Sequence, residues 1–308
     1  MIKIICGENG GIELDDENIL LKNINSNEIH FDCEYNGDVY HFQLVDNELN
    51  QDAIIFTTTL AKTLGIYSID YRKYNYPGEK FYVRSKYINF EKLTEGSKLI
   101  NSYNIEKIRE EFILANKLKG EELFSQFCQM IILDIFTLNC DRTHNNWLVE
   151  ADEKILSYDY NFTFGSAGLL HGVTNRGLNI LLTDGIIDKL NENLISSKNE
   201  FFYGRFKENH RLDMIDFAEY TIAKSSRDTA HTKIGDEETG LMSSCKNLIR
   251  YFLEQDIEAD LINKIMNLSA ETIFENVPVD SKINSCGNKK YLAYMFDYLK
   301  NLIQDSEK

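Results

Sequence analysis

Apolar and polar positions alternate along IHFDCEY and VYHFQLV, two runs joined by NGD. This predicts a β-hairpin with Asn36-Gly37 in its turn. The next apolar block, AIIFTTTLAKTLGI, has helical spacing and is closed by Gly65, a C-terminal cap. EKFYVRSKYI reads as a further strand. Beyond it the period changes. NIEKIREEFILANKL places Ile105, Ile108, Phe112 and Ala115 on one helical face. EELFSQFCQMIILDIFTLN is apolar almost all round and predicts a buried central helix. WLV and ILSY then interrupt as a short hairpin with an acidic turn near Ala151–Lys154. Helical patterns resume in DMIDFAEYTIAK, SSCKNLIRYFLEQ, EADLINKIMNLSAETIFENV and KKYLAYMFDYLKNLI. The expected class is α+β with two lobes: a small β-rich N-lobe over residues 1–88 and a larger helical C-lobe over 89–308.

The 308 residues suffice for two lobes with a sizeable core, and an aromatic share of 12% argues against disorder. A formal charge of −16, with no basic run longer than a pair, disfavours direct nucleic-acid binding and anionic membranes. It does not disfavour an anionic nucleotide, whose charge a metal ion can neutralise. Six cysteines without a CxxC or a Cys/His cluster read as reduced intracellular thiols, with Cys128 a buried structural one. MIILDIF is too short to span a bilayer and is broken by Asp134, and MIKIICGENGG does not read as a signal peptide. The expected location is the cytoplasm, without membrane insertion; export as an effector without a signal peptide stays open. His30, His41, His210 and His231 stand alone, so zinc is not expected.

The chemistry concentrates in NCDRTHNNWLVEADEKILSYDYNFTFG. Asp141 lies in the loop after the apolar helix, Asn146 enters the hairpin and Asp159 leaves it. Hairpin strands are neighbours, so Asn146 and Asp159 are expected side by side, an amide and a carboxylate oxygen for Mg²⁺. Asp141 can face the same point as a base or substrate-orienting group. A loop Asp, an Asn five residues on and an Asp after a hairpin match the requirements of phosphoryl transfer. Asp and Asn are also ordinary turn residues, and the weight comes from the helix–loop–hairpin context.

On these residues the chain resembles the HipA-like protein kinases, in particular the compact cell-translocating-kinase type of Helicobacter. Their catalytic loop has the form N-x-D-x-H-x-x-N, followed by a hairpin and Y-D. Here NCDRTHNN puts Asn139 and Asp141 in register and Asn146 at the metal position, with the histidine shifted by one to His144; SYD ends in Asp159. CDRTHNN is also compatible with the phosphoinositide-kinase-like group, whose membrane face the charge of −16 disfavours. The resemblance spans residues 30–165 and implies a bilobal protein-kinase-like fold with a hinge near YVRSKYINFEKL. It implies ATP and Mg²⁺ as cofactors and transfer to a protein Ser or Thr, or autophosphorylation. Asp141 and Arg142 would be the catalytic residues, Asn146 and Asp159 would hold the metal, and Arg142 and Asn161 would support those ligands. A protein substrate, an antitoxin or a host protein would be the partner.

One position departs from the family. A hairpin lysine normally grips the ATP phosphates, and the resemblance places Gln43 there. Glutamine donates hydrogen bonds but brings no charge. The helix that should carry the lysine's carboxylate partner has only Asp52 near the expected place, so both members of that pair read as altered. Lys22, Arg84 or Lys86 would be the substitutes, Arg84 first, as a cation pointing inward near the lobe junction. Two other readings therefore stay open: a pseudokinase acting as a binding or regulatory module, and a nucleotidyl transferase on a kinase-like fold. CGENGGIELDD is a glycine-rich turn without a Walker motif. His171 and Arg176 fall where kinases carry an activation or substrate segment, and Thr229, Thr232 and Thr239 lie in a polar connector.

Overall fold

Alternation in the N-terminal part becomes strand pairing in the computed structural model. The structure describes residues 3–6, 12–15, 30–35, 38–45, 48–76, 80–86, 93–139, 142–150, 154–161, 163–166 and 241–304. β1 (Lys3–Cys6) pairs antiparallel with β2 (Ile12–Asp15). β3 (His30–Tyr35) and β4 (Asp38–Val45) form the expected antiparallel pair; its turn, Asn36-Gly37, lies outside the described residues. With β5 (Arg72–Tyr76) and β6 (Lys80–Lys86) they build a four-stranded antiparallel sheet in the order β3-β4-β6-β5. β5 was not expected from the sequence. Its RKYNY run is two basic residues followed by Tyr, Asn and Tyr instead of an apolar–polar alternation, and only pairing to β6 shows which face is which.

Helix α1 (Glu48–Leu64) packs on this sheet. It ends as predicted at Gly65, with φ 82°: Ile66 N–H reaches the Ala61 carbonyl at 2.9 Å and Gly65 N–H the Lys62 carbonyl at 3.2 Å. These are the paired bonds of a Schellman cap, and glycine takes the left-handed conformation without strain. α1 is covered on nearly every side, so its polar residues Asn50, Gln51 and Asp52 are buried too. Buried polar groups require partners, and those partners define the site described below.

β7 (Leu93–Glu95), also unforeseen, joins β8 (Trp147–Glu150) and β9 (Lys154–Ser157) in a three-stranded sheet. α2 (Ile105–Ala115) starts at Asn104, whose side chain accepts from the N–H of Glu106 and Lys107 at 3.0 and 3.2 Å. α3 (Gly120–Phe136) is the buried central helix. Phe112, Phe127 and Trp147 meet with ring centroids 5.6–5.9 Å apart, joining α2, α3 and β8. In the C-terminal part lie α4 (Leu241–Glu254), α5 (Ala259–Met266), α6 (Ala270–Asn276) and α7 (Cys286–Gln304). EADLINKIMNLSAETIFENV, read as one helix, is two, because Ser269 accepts from the Thr272 N–H and caps a new start. The DMIDFAEYTIAK helix, the glycine-rich turn residues 7–11, His171, Arg176 and the threonine-bearing connector lie outside the described residues. Among the described residues no helix is long and apolar enough to cross a membrane.

Two tests of the packing arise here. Gly96 lies against the Trp147 ring, where a Cβ would stand 2.1 Å from Cε2. Trp147 is fully buried and cannot retreat, so Gly96→Ala should cost about 1–3 kcal/mol in urea unfolding through overpacking. Cys128 is buried, and burial, followed by the nearby Glu258 charge, holds its thiol well above the ordinary range. A thiol reagent should label exposed Cys286 in the native protein and reach Cys128 only on unfolding.

Candidate active site

The segment singled out in the sequence is built around one buried carboxylate. Asp134, on the last turns of α3, accepts from Asn139 Nδ2 at 2.8 Å, from Arg142 Nε at 2.8 Å and from Arg142 Nη2 at 3.0 Å. The guanidinium therefore grips Asp134 through two parallel bonds. Its remaining nitrogen, Nη1, donates to the backbone carbonyls of Asn146 and Tyr158, each at 2.5 Å. The Tyr160 ring covers the guanidinium at 5.1 Å. Burial works against the Arg142 charge, but the Asp134 carboxylate more than compensates and its pKa rises above the ordinary value. Arg142 is thus tied to the entry of β8 and to the exit of β9 at once.

The ends it ties together carry the expected metal ligands. β8 and β9 pair from Trp147 opposite Ser157, and the ladder continues with Tyr158 N–H to the Asn146 carbonyl at 3.4 Å. Asn146 therefore opposes Tyr158, and Asp159 follows one residue further instead of directly opposite. At Asp159 φ is 59°, a left-handed setting that turns the chain out of the strand, and the Tyr71 hydroxyl hydrogen-bonds its backbone. Such a setting in a non-glycine residue is uncommon and recurs at functional sites. Asp141 lies outside the described residues. Its flanking residues Asn139 and Arg142 are both bound to Asp134. His144, next along the loop, is held by a 2.7 Å hydrogen bond to the Ser102 carbonyl and stacks on Tyr103 at 4.3 Å.

Among the described residues no group of three or more His, Cys, Asp or Glu is placed to hold a metal. A dedicated protein cage is not what Mg²⁺ needs. One or two hard oxygen ligands, completed by substrate phosphates and water, are its usual protein share, and Asn146 with Asp159 fits that donor set.

α1 docks onto the residues that follow Asp159. Asn50 Nδ2 donates to the Asn161 carbonyl at 2.7 Å and to Ser166 Oγ at 2.9 Å. Phe56 meets Phe164 edge-on at 5.5 Å. α7 reaches the same segment, with Tyr291 Oη donating to the Phe164 carbonyl at 2.7 Å.

The two residues expected at the nucleotide phosphates stand apart. Gln43 pairs with Val83, which pairs with Lys73, so these three share one face of the sheet. Val83 on that face is buried in the core with α1. Arg84 is in the neighbouring row with Phe42 and Arg72, on the opposite face. There it contacts Asp280 at 3.2 Å and lies over the Tyr40 ring at 5.5 Å; burial is the largest influence on its pKa, which falls below the ordinary value.

Asp52, the carboxylate near the place expected for the lysine's partner, has a cation of its own. It is fully buried and forms an ion pair with Lys73, on the unforeseen strand β5, while Asn288 Nδ2 donates to its other oxygen at 2.8 Å. Burial raises the Asp52 pKa despite Lys73 and Asn288, which both favour the carboxylate. The lysine that Asp52 meets lies two strands away from Gln43 in the sheet. Sequence reading missed Asn50, Lys73, Asn288 and Tyr291. It met Asp134 only as a break in an apolar run, although a lone charge in a fully apolar helix already calls for a buried partner. A cavity of about 480 Å³, lined by Lys62, Tyr67, Gln126, Met130 and Lys154 among others, opens near the other end of α1 and includes none of the expected site residues.

A small antiparallel-sheet N-terminal region ahead of a helical C-terminal part that carries this loop and hairpin is a kinase-like fold. Among solved structures the chain is similar to the crystal structure of CtkA, a Helicobacter pylori proinflammatory kinase, with TM-score 0.54 and 16% identity over 92% of this chain and 91% of that one. No family model and no curated protein sequence matches it.

Proposed function

We propose that the chain is a HipA-like kinase that transfers the γ-phosphoryl group of MgATP to a Ser or Thr hydroxyl of a protein, or to itself. The observation that carries the reading is the Arg142 anchor, which fixes Asn146 and the start of the Asp159 turn on one buried carboxylate. Asp141 orients the acceptor hydroxyl and takes its proton. Asn146 and Asp159 hold Mg²⁺, which supplies charge neutralisation at the phosphates when bound. Gln43 offers an uncharged donor to the phosphates from the α1 side of the sheet. Arg84, held by Asp280, supports β6 from the opposite face. Positioning and preorganised charge account for most of the rate in this chemistry. Arg142 contributes by positioning the site, since its guanidinium is occupied by Asp134 and two backbone carbonyls.

The occupied Lys73 favours one second reading, a pseudokinase that binds nucleotide or protein as a regulatory module. Gln43 is uncharged, and Lys73, a described side chain of the same row, is already committed to Asp52. Intact mass after incubation with MgATP separates the two. A gain of one phosphoryl group in the wild type and none in Asp141→Ala is the expected result for the kinase. Nucleotide-induced thermal stabilisation without any mass gain, on the chain or on added protein acceptors, would replace it with the pseudokinase. A gain of AMP would indicate nucleotidyl transfer.

A further inference from the structure

Four residues of the segment 280–291 make five contacts back to residues 52–164. Asp280 meets Arg72 and Arg84, each at 3.2 Å. Ser281 Oγ accepts from the Lys73 N–H at 3.0 Å, Asn288 donates to Asp52, and Tyr291 donates to the Phe164 carbonyl. Phe56 of α1 meets Phe164, Phe274 of α6 and Phe296 of α7, with centroids 5.3–5.7 Å apart. One face of α1 therefore touches the turn after Asp159, and another touches the C-terminal helices, which touch that turn as well.

We infer that Lys73 is a positioning residue for the site, and that Lys73, Asp52, Asn288 and Tyr291 form a clamp through which α7 sets α1 and the segment after Asp159 as one unit. The inference deepens the phosphoryl-transfer reading and rests on it for its catalytic consequence. A lysine at the Gln43 position would tie α1 to bound phosphate. Lys73 starts about 10 Å away, across two strand spacings, and its charge is spent on a fully buried carboxylate that α7 also holds. The setting of α1 is thereby fixed by the C-terminal helix and does not wait for nucleotide.

The test combines hydrogen exchange across the full-length chain with MgADP titration calorimetry, on Lys73→Met, Asn288→Ala and Tyr291→Phe. Expected are exchange rates at least tenfold faster in both 48–64 and 160–166 for each variant, and a Kd for MgADP within twofold of wild type. Where phosphoryl transfer is measurable, kcat falls and KM for MgATP does not. Lys73→Met is the variant most at risk of misfolding; Asn288→Ala and Tyr291→Phe remove single hydrogen bonds and carry the test without it. Faster exchange confined to 48–64 would overturn the clamp. So would a Kd for MgADP weakened tenfold by Lys73→Met with exchange unchanged, because Lys73 would then be a phosphate ligand. If wild type binds no nucleotide, the phosphoryl-transfer reading fails while the exchange data still decide the clamp.

Discussion

Arg142→Met should lower the free energy of unfolding by about 3–5 kcal/mol, the usual cost of removing one partner from a buried ion pair. The loss has three sources. Asp134 keeps a buried charge with, among the described residues, Asn139 to satisfy it, the Asn146 and Tyr158 carbonyls lose their shared donor, and Tyr160 loses its cation. Urea unfolding followed by tryptophan fluorescence reports it well, since Trp147, the only tryptophan, is next to Asn146. Replacing both partners by apolar residues, as in Asp134→Leu with Arg142→Met, should cost less than Arg142→Met alone, because no charge is then left uncompensated. The double variant should still fail in phosphoryl transfer, because the entry of β8 and the exit of β9 then lose the guanidinium that ties both to α3. A single-variant loss below about 1 kcal/mol would mean that the guanidinium is solvated, and the anchor would be lost as an explanation of the site.

The contrast between these contacts and the sequence pattern shows what was readable. The β3–β4 and β8–β9 pairs, the Gly65 cap and the burial of α3 follow from neighbours within a few residues, where alternation, turn chemistry and helical period act directly. β5 escaped because a run of two basic residues followed by Tyr, Asn and Tyr marks a strand only once one of its faces is covered. With β5 went Lys73, and so Asp52 looked orphaned. The spacing of Asp141, Asn146 and Asp159 was legible for the same local reason. The bracing of the turn after Asp159 and of α1 was not: the Asn50–Asn161 bond spans 111 residues of chain, and the Asp52–Asn288 bond spans 236. Arg142 shows the limit most clearly. Beside a candidate catalytic Asp it read as part of the chemistry, while the buried partners of its guanidinium, Asp134 and the Asn146 and Tyr158 carbonyls, could not be read from the spacing.

Asp159→Asn should lower phosphoryl transfer on the order of 10³-fold, since a metal ion contributes several kcal/mol of transition-state charge stabilisation and an amide binds it weakly. Asparagine is the informative replacement because of the backbone. Asp159 has φ 59°, and Asn tolerates the left-handed region as readily as Asp does, so the turn and the Tyr71 contact persist. Asp159→Ala should lose the same activity and, in addition, about 1 kcal/mol of stability, because a plain Cβ is disfavoured at that setting. Raising Mg²⁺ should restore part of the Asn variant's rate if its defect is metal affinity, and it should do nothing for Arg142→Met, whose ligands are misplaced instead of weakened. Equal activity in wild type and Asp159→Asn would remove Asp159 from the metal site, whatever its spacing from Asn146. Equal stability of the Asn and Ala variants would remove the backbone argument while leaving the chemistry intact. The pair thus separates what the carboxylate does from what the left-handed turn requires.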